Sequence, residues 1–466
     1  MPSVPVVSPA GSVLAVVDFD ADVCVLGAGY AGLTAARRIT QAGATAIVLE
    51  ARDRVGGRVW TRPAPDGTPV DVGGTWLGPG QDRAYALAAE LGVTTYPTWN
   101  EGETVFAGRD TVKRFGGLIP PINPIALASL TLGMARLDAM AKRVPLDEPW
   151  TARRAKAWDA RSAAHWIDTA SVPARDGQGL LAAAVRGLFN CDPAEVSLLH
   201  VLYLIRSANG LNHLLSVEGG YQQDRVTGGA QTMADRVAAE LGDALLLEHP
   251  VRAITQDGSS VVVHGDGAEV RARRVIVTIP PTLSGHLSYE PQLPVDRALL
   301  VQSMPAGSIL KVSVMYDEPF WRTDGLNGQS VATTSPLEMT LDASPGSGVP
   351  GVLAAFGFGP YARTLGALDP VERRRFVLDT LVTRFGARAA NPAHYEEIDW
   401  AEERWTRGCF MAHMPPGVLT QFGRALRAPV GRIHWAGSET ATVSHGSIDG
   451  AIRSGERAVA EVLEAD

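Results

Sequence analysis

The stretch that decides the fold is Asp22–Gly32, which reads DVCVLGAGYAG. Its apolar start predicts a short strand, and the helical spacing of residues 33–39 predicts a helix directly after Gly27, Gly29 and Gly32. Glycine makes this turn tight, lets the backbone approach a pyrophosphate and allows the helix to pack closely on the strand. The helix N-terminus then offers free amides and the positive end of its dipole to the phosphates.

A second predicted strand, residues 46–49, strengthens the hypothesis of dinucleotide binding. It ends in Glu50, which lies 23 positions after Gly27. In dinucleotide-binding units an acidic residue ~20 positions after the first glycine binds a ribose hydroxyl. The glycines alone would also suit a turn that serves packing only.

The length and composition predict two domains with a large buried core. The chain has 466 residues, of which 45% are hydrophobic. The formal net charge of -8 argues against nucleic acid as the main partner, because phosphate binding requires concentrated Lys and Arg.

The cysteines are few and far apart, at Cys24, Cys191 and Cys409. They predict neither a disulfide framework nor a metal site, and a reducing cytoplasm fits them best. No run of about 18 uncharged apolar residues occurs, so no membrane span is expected. Residues 1–19 lack Lys and Arg, which argues against a secretory signal and favours a loose N-terminal arm.

Two further glycine clusters follow the first. Residues 51–58 (ARDRVGGR) form either a surface hairpin or a second wall for a diphosphate, with Arg58 as charge partner. Residues 70–76 (VDVGGTW) place two glycines beside Trp76, which suits the close approach of a flat ring system.

With these clusters the sequence resembles the flavin monoamine oxidases. Residues 23–82 match the FAD-binding N-terminus of that family, and residues 218–463 are similar almost without a break, whereas residues 100–217 match poorly. The motifs that carry the resemblance are Gly228-Gly229, IPPTL at 279–283, GSILK at 307–311, EPFWR at 318–322, GCF at 408–410, PPG at 415–417 and WAGSETAT at 435–442.

The resemblance implies an α/β fold, with a Rossmann-type FAD-binding domain and a discontinuous α+β substrate domain of the glutathione-reductase-like kind. It implies FAD rather than NAD as cofactor. The FAD-binding domain would comprise residues 20–95, 227–300 and 403–466, and the substrate-binding domain residues 96–226 and 301–402.

Local patterns are compatible with this layout. Residues 124–140, 155–167 and 179–189 have the character of helices, and residues 310–316 and 352–358 that of strands.

Cys409 and Lys311 are the residues with the sharpest implied roles. In the family a cysteine in the place of Cys409 forms a thioether to the 8α carbon of the flavin; a small buried cysteine is the alternative. The family lysine that matches Lys311 acts on flavin N5 through a water and supports reoxidation by oxygen. By its strand position alone, Lys311 must either face solvent or be buried with a partner.

The remaining cofactor residues are carried over position by position. The full set is Gly27, Gly29, Gly32, Glu50, Arg52, Gly57, Arg58, Gly74, Trp76, Val251, Trp400, Cys409, Gly437, Glu439 and Ile448. For the two tryptophans, ordinary core packing is the alternative.

The family guides the amine nitrogen between two facing aromatic rings, and this sequence departs from that pattern. One ring is matched by Phe410, but the other position is Ser447, which offers space and a hydroxyl instead. Nearby His445 is either an extra polar contact or a satisfied loop histidine. The implied pocket residues, each of which could equally be core, are Leu188, Phe189, Leu215, Gln222 and Met339.

We therefore expect a soluble FAD-dependent amine oxidase that uses O₂ and makes aldehyde, ammonia and hydrogen peroxide. Its partners would be a small amine and O₂, with no nucleic acid or membrane, and a homodimer is one expectation. An oxidase of an amino acid or cyclic secondary amine is the runner-up; it would need an arginine for the carboxylate, and Arg114 and Arg206 are the loose candidates. A flavin-binding protein without turnover is the third hypothesis. The helix that ends near residue 463, where mitochondrial relatives continue into a membrane tail, adds to the expectation of solubility.

Overall fold

The computed structural model describes residues 17–108, 111–117, 119–170 and 172–464. In these residues the chain forms twenty strands: β1 (Val17–Leu26), β2 (Ala46–Leu49), β3 (Thr61–Pro63), β4 (Pro69–Asp71), β5 (Trp76–Leu77), β6 (Thr95–Pro97), β7 (Glu103–Ala107), β8 (Val112–Phe115), β9 (Asp224–Val226), β10 (Leu245–Leu246), β11 (Val251–Gln256), β12 (Val261–Gly265), β13 (Ala268–Val277), β14 (Ser288–Glu290), β15 (Ile309–Tyr316), β16 (Leu326–Ala332), β17 (Met339–Asp342), β18 (Gly351–Phe358), β19 (His394–Asp399) and β20 (Ile433–Trp435).

The same residues form sixteen α-helices: α1 (Tyr30–Gln41), α2 (Asp82–Glu90), α3 (Pro124–Ala141), α4 (Ala155–Asp159), α5 (Ala163–Ala170), α6 (Arg175–Phe189), α7 (Leu198–Ser207), α8 (Leu211–Leu215), α9 (Thr232–Leu241), α10 (Pro281–Ser284), α11 (Val295–Gln302), α12 (Phe320–Thr323), α13 (Pro360–Gly366), α14 (Pro370–Phe385), α15 (Val418–Phe422) and α16 (Ile448–Glu464).

The first glycine turn lies at the end of a central strand of an eight-stranded sheet. The strand order is β10-β2-β1-β13-β12-β11-β14, and β20 pairs with β13. β1 is parallel to β2 and β13, so that Val23 is paired with Ala46 on one side and Arg274 on the other. Helices α1 and α16 pack against each other beside this sheet. Parallel strands covered by helices are buried on both faces, which explains the unbroken apolar run before Gly27.

A second sheet of seven strands carries Lys311. Its order is β19-β15-β18-β17-β16-β7-β8. β15 is antiparallel to both neighbours, and Lys311 is paired with Phe356 of β18 and Ile398 of β19. All side chains of β15 and β18 are buried, so the two predicted strands are confirmed but lack a solvated face.

The helices α3 to α8 share one apolar cluster with the segment 411–426. The sequence predicts one helix over residues 155–167, but the structure divides it into α4 and α5. The division has a tertiary cause: Ala163 donates its amide hydrogen to Val196, and Leu198 donates to the Arg161 carbonyl. These bonds replace the helical ladder between the two helices.

The N-terminal arm predicted for residues 1–19 lies mostly outside the described residues. Within them, residues 17–19 already belong to β1, because they pair with residues 268–270 of β13. No helix in the described part of the chain is long and apolar enough to span a bilayer.

Candidate active site

The glycine turns and the strand of Lys311 border one cavity of about 540 Å³. Most of the residues predicted from the sequence line it, although their spacing in the chain is wide. These are Gly27, Gly29, Glu50, Arg52, Gly57, Arg58, Gly74, Trp76, Leu188, Gln222, Val251, Lys311, Met339, Trp400, Cys409, Phe410, Gly437, Ser447 and Ile448. Gly32, Phe189, Leu215 and Glu439 do not line it.

The first glycine turn fits the phosphates of a dinucleotide. A Cβ on Gly32 would lie 1.9 Å from the Gly27 carbonyl oxygen, whereas a Cβ on Gly29 would meet nothing within 4 Å. Gly32 therefore serves the close packing of helix α1 on the turn, which explains why it lies behind the cavity wall. Gly29 lies at the N-terminus of α1 and leaves the backbone bare towards the cavity, where an anion is favoured.

Glu50 closes the same end of the cavity. Its carboxylate is 3% exposed and accepts hydrogen bonds from the Ala28 amide (2.7 Å) and the Arg52 amide (3.0 Å). Two buried donors in the cavity wall, Nε of Arg52 and Nε1 of Trp76, have no partner among the described residues. Bare glycines, an ordered carboxylate and the unused Arg52 donor together fit the polar part of FAD. The Trp76 ring lies elsewhere in the cavity, with its centre 6.0 Å from that of Phe356.

Arg58 and Glu439 form a buried ion pair beside the cavity. The Arg58 guanidinium lies 2.6 Å from one Glu439 oxygen and 2.9 Å from the other, and it also donates to the Phe410 carbonyl (2.6 Å). Burial alone would raise the pKa of Glu439, but Arg58 outweighs it and lowers that pKa to about 2. Removing one partner of such a pair typically costs about 3–5 kcal/mol. Glu439 thus holds Arg58 in place and does not itself line the cavity.

Lys311 is buried with partners, which decides between the two alternatives for its strand position. The side chain is 4% exposed. Its Nζ donates to the Gly73 carbonyl (2.8 Å) and to the Thr75 hydroxyl (2.7 Å), and it lies 5.2 Å from the centre of the Trp76 ring. Burial lowers the pKa of Lys311 to about 7. Thr75 was not singled out from the sequence, although it directly follows the third glycine cluster.

Cys409 lies in the cavity wall with its backbone fixed on both sides. Its amide donates to the Gly307 carbonyl (3.0 Å), and its carbonyl accepts from Nδ2 of Asn190 (2.9 Å). Burial raises the pKa of the thiol to about 12. The sequence analysis does not single out Asn190. An asparagine directly after a predicted helix is a sequence signal for a helix end, and Asn190 has the left-handed φ of 52° that asparagine tolerates there. Trp400 is fixed through Nε1, which donates to the Val72 carbonyl (3.0 Å).

Ser447 does not offer a free hydroxyl to the cavity. Its Oγ donates to the Ser444 carbonyl (2.7 Å) and accepts from the Gly450 amide (3.0 Å), so it caps the first turn of α16. The expectation of an available hydroxyl is therefore corrected, because the helix cap uses it. Phe410 remains in the wall, and a Cβ on Gly446 would lie 3.2 Å from its ring.

His445 is a satisfied buried histidine, as one alternative proposed. Its Nδ1 donates to the Ala441 carbonyl (3.1 Å). Nδ1 of His200 accepts from the Met414 amide (3.0 Å), so its Nε2 carries the hydrogen and donates to Nε2 of His445 (3.2 Å). Burial lowers the pKa of His445 to about 4 and that of His200 as well. Both rings are neutral, and no nitrogen of His445 is free to act as a base.

The end of the cavity opposite Glu50 is apolar. Its wall comes from helices α6 to α8 and strands β15, β17 and β18, and it includes Leu188, Leu204, Leu214, Met339, Leu341, Phe356 and Phe358. We call this part the apolar end. Gln222 also lines it, and its Nε2 donates to the Leu214 carbonyl (3.2 Å).

Phe189 and Leu215 were predicted for this wall but lie elsewhere. Phe189 is fully buried in the core, with its ring centre 5.0 Å from that of His200. Leu215 packs on the helical cluster instead. Successive helical residues point about 100° apart, so Leu188 and Leu214 face the cavity while their neighbours face away.

Neither arginine considered for a substrate carboxylate lines the cavity. Arg114 donates to the Asp324 carbonyl at the surface, and Arg206 belongs to α7. Among the described residues that line the cavity, Glu50 is the only carboxylate.

Comparisons with known proteins agree with this geometry. Residues 30–463 match the family model described as flavin containing amine oxidoreductase. AofH of Mycobacterium tuberculosis, whose name assigns it provisionally to the flavin-containing monoamine oxidases, is 40% identical over 441 residues, covering 95% of this chain and 96% of that protein. The structure of putrescine oxidase bound to putrescine has a TM-score of 0.92 at 32% identity and covers 96% of this chain and 100% of its own. Cyclohexylamine oxidase from Brevibacterium oxydans has a TM-score of 0.92 at 33% identity, with coverages of 96% and 99%.

Proposed function

Because the chain belongs to the flavin containing amine oxidoreductases, we propose that it oxidises an apolar monoamine to an aldehyde or ketone, ammonia and hydrogen peroxide. Membership of the family makes it an FAD-dependent oxidoreductase of small-molecule amines, with O₂ as acceptor. The observation that carries the choice of substrate is the apolar end of the cavity.

Among the described residues, a second charged group on the substrate would find no carboxylate or arginine there. The polar groups present are the unpaired Oε1 of Gln222, a neutral acceptor, and Lys311, whose amine already donates to Gly73 and Thr75. Taking an ammonium or a carboxylate out of water is costly unless it is paired. Among the residues that the structure describes, Glu50 is the one lining carboxylate and lies at the glycine turn, and the walls of the apolar end contribute no arginine. The geometry therefore favours a monoamine such as the substrate named for cyclohexylamine oxidase over a diamine such as putrescine or an amino acid.

FAD supplies the electron acceptor when it is bound, taking up two electrons and a hydrogen from the carbon beside nitrogen and passing the electrons to O₂. The glycine turns and Glu50 would bind its dinucleotide part. We infer that Cys409 holds it by a thioether at the 8α position. The support for this is that Cys409 lines the cavity and that Gly307 and Asn190 fix its backbone.

Phe410 and Lys311 would act on the amine and on oxygen respectively. The face of the Phe410 ring orients an amine nitrogen through its quadrupole. Gly73 and Thr75 direct the Lys311 amine, and its cationic form stabilises negative charge that develops on oxygen. The substrate nitrogen must be neutral to react, because an ammonium has no lone pair to stabilise the forming iminium.

We propose a division of the chain into two domains, which the strand sets of the two large sheets support. Residues 20–95, 227–300 and 403–466 would form the FAD-binding domain, and residues 96–226 and 301–402 the substrate-binding domain. The eight-stranded sheet uses strands of the first set, and the seven-stranded sheet uses strands of the second. A homodimer stays a prediction, which sedimentation velocity tests.

A matched pair of substrates tests the choice of an apolar monoamine. Butylamine and putrescine have the same four-carbon chain and differ by one terminal amine. We expect kcat/KM for butylamine to exceed that for putrescine by more than tenfold, since burying an unpaired ammonium costs more than about 1.4 kcal/mol. Cyclohexylamine should resemble butylamine. Equal values, or a preference for putrescine, would contradict the proposal while leaving amine oxidation itself intact.

A further inference from the structure

Two side chains four positions apart in the sequence meet a third from residues 407–414, the segment that carries Cys409. They are Cys191, Glu195 and His413, and one potential ligand atom of each lies within 4.8 Å of the other two. Cys191 is 1% exposed and His413 is 3% exposed, whereas Glu195 is at the surface. None of the three lines the cavity of the candidate active site.

His413 supplies an independent sign that a ligand belongs here. Its Nδ1 atom is buried and has no hydrogen-bond partner among the described residues. Leaving a buried polar atom without a partner is unfavourable, so native folds rarely do so without a function for the group. A neutral imidazole nitrogen with a free lone pair is the form of histidine that binds metals.

We propose that Cys191, Glu195 and His413 bind one divalent cation of the zinc class, with water as the fourth ligand. Thiolate, imidazole and carboxylate are the side-chain ligands that Zn²⁺ takes in proteins. In a tetrahedral zinc site, bonds of about 2.0–2.3 Å place the ligand atoms roughly 3.4–3.6 Å apart. The present limit of 4.8 Å leaves a contraction of at most about 1.4 Å. Rotation of the exposed Glu195 side chain can shorten its own two distances, and the Cys191–His413 distance depends on small shifts of the two buried side chains.

The groups around the three side chains affect how a cation would bind. The Asp192 amide donates to one Glu195 oxygen (2.8 Å), so the carboxylate is already oriented as second-sphere partners orient metal ligands. Arg363 lies 3.5 Å from the other oxygen, but its side chain is 53% exposed and free to turn away. A cysteine binds a cation as the thiolate, so the cation must displace the Cys191 proton and binds more tightly as pH rises.

A cation at this site would join the end of helix α6 to the segment that carries Cys409. Cys191 follows that helix by two residues, and the intervening Asn190 already donates to the Cys409 carbonyl. His413 is held from the other side, because its amide donates to the Pro305 carbonyl (2.9 Å). We therefore expect the cation to stabilise the fold and leave the apolar end unchanged.

Cobalt and zinc binding to the flavin-loaded enzyme test the proposal. The enzyme is dialysed against a chelator, and Co²⁺ or Zn²⁺ is then added to the wild type and to Cys191→Ala, Glu195→Gln and Cys24→Ala. The last variant is the matched control, since Cys24 is equally buried but lies in β1, outside the cluster. Visible d–d bands of Co²⁺ at wavelengths beyond the flavin absorption report tetrahedral binding, and equilibrium dialysis gives the stoichiometry for Zn²⁺.

We expect one Zn²⁺ per chain and tetrahedral Co²⁺ bands in the wild type and in Cys24→Ala. Glu195→Gln, which changes an exposed side chain and should fold, should bind the cation more weakly by over tenfold, because even outer-sphere changes cost about that much. Zn²⁺ should raise the melting temperature of the wild type but not of Cys191→Ala. No cation retained by the wild type, or equal binding by Cys191→Ala and the wild type, would overturn the proposal.

Discussion

Lys311 shows how its surroundings decide the charge of a single amine. Its strand is buried on both faces, and among the described residues the Gly73 carbonyl and the Thr75 hydroxyl accept its hydrogens. Because burial lowers the pKa to about 7, both charge states are populated near neutral pH. An anionic group placed beside the amine would raise this pKa. Lys311 would then keep its proton at pH 7 and lose it only at higher pH.

Replacement of Lys311 by Met should slow the reaction of the reduced enzyme with O₂ and change reduction by the amine little. In the wild type this oxygen reaction should slow as pH rises through the pKa of Lys311, since the cation is lost; in Lys311→Met the rate should not show that step. Stopped-flow mixing of the reduced enzyme with O₂ at pH values from roughly 6 to 9, which bracket a pKa near neutrality, measures the oxidation rate and its pH dependence in both proteins. Equal rates and equal pH profiles would refute the role of Lys311.

Cys409 gives a chemical prediction at the same scale. The flavin of the wild type should stay with the acid-denatured protein, whereas Cys409→Ser should release it into the supernatant. Cys24→Ala is the control and should keep its flavin attached, because Cys24 lies in β1, away from the cavity wall. The flavin absorbance of the supernatant after acid precipitation shows whether the flavin was released. Flavin still attached in Cys409→Ser, or free in the wild type, would contradict the thioether.

At the scale of the element, the glycine turn was the most predictable part of the site. Glycines 27, 29 and 32 and Glu50 lie as their spacing predicts, because a strand, a tight turn and a helix leave the backbone little choice. The face that a helix turns towards the cavity was less predictable from the sequence. The sequence predicts both Leu188 and Phe189 in the cavity wall, but the rotation of α6 about its axis, fixed by distant packing, admits only Leu188.

The same limit applies to residues whose partners lie far along the chain. The resemblance implies a place for Ser447 beside the amine, but the Ser447 hydroxyl caps helix α16. The cluster of Cys191, Glu195 and His413 has no motif spacing, since Glu195 and His413 are separated by most of the second sheet. Only the tertiary fold brings these groups together.

An added methyl group should have different effects at two glycines of the turn: it should lower protein stability at one and FAD affinity at the other. Gly32→Ala places a Cβ against the Gly27 carbonyl and should lower the melting temperature of the protein with or without FAD. Gly29→Ala has open space in the protein, so the apoprotein should keep its stability but bind FAD more weakly. Thermal unfolding and FAD titration of the two apoproteins separate these effects, with each variant made in the Cys409→Ser background so that the flavin can dissociate.

Gly258→Ala serves as the control for both variants, because its Cβ also meets nothing but the residue does not line the cavity. Full FAD affinity in Gly29→Ala would show that the bare backbone at this turn does not face the dinucleotide.

At the scale of the whole molecule, the cavity lies between two sheets that contribute different kinds of residue to its lining. The eight-stranded sheet presents the glycine turns and Glu50, and the seven-stranded sheet presents Lys311 and the apolar wall. Helices α6 to α8 complete the apolar end. This arrangement places groups suited to a cofactor and apolar groups suited to a substrate in one cavity, and it is the basis of the proposal that the substrate is a monoamine.

Anaerobic mixing of the flavin-loaded enzyme with cyclohexylamine tests the central claim most directly. The account predicts that the yellow absorbance bleaches with a rate that rises with pH, as more of the amine becomes neutral, and that it returns with one equivalent of hydrogen peroxide when O₂ is admitted. Putrescine and amino acids should bleach it far more slowly. An enzyme that binds FAD but is bleached by none of these amines would contradict the claim.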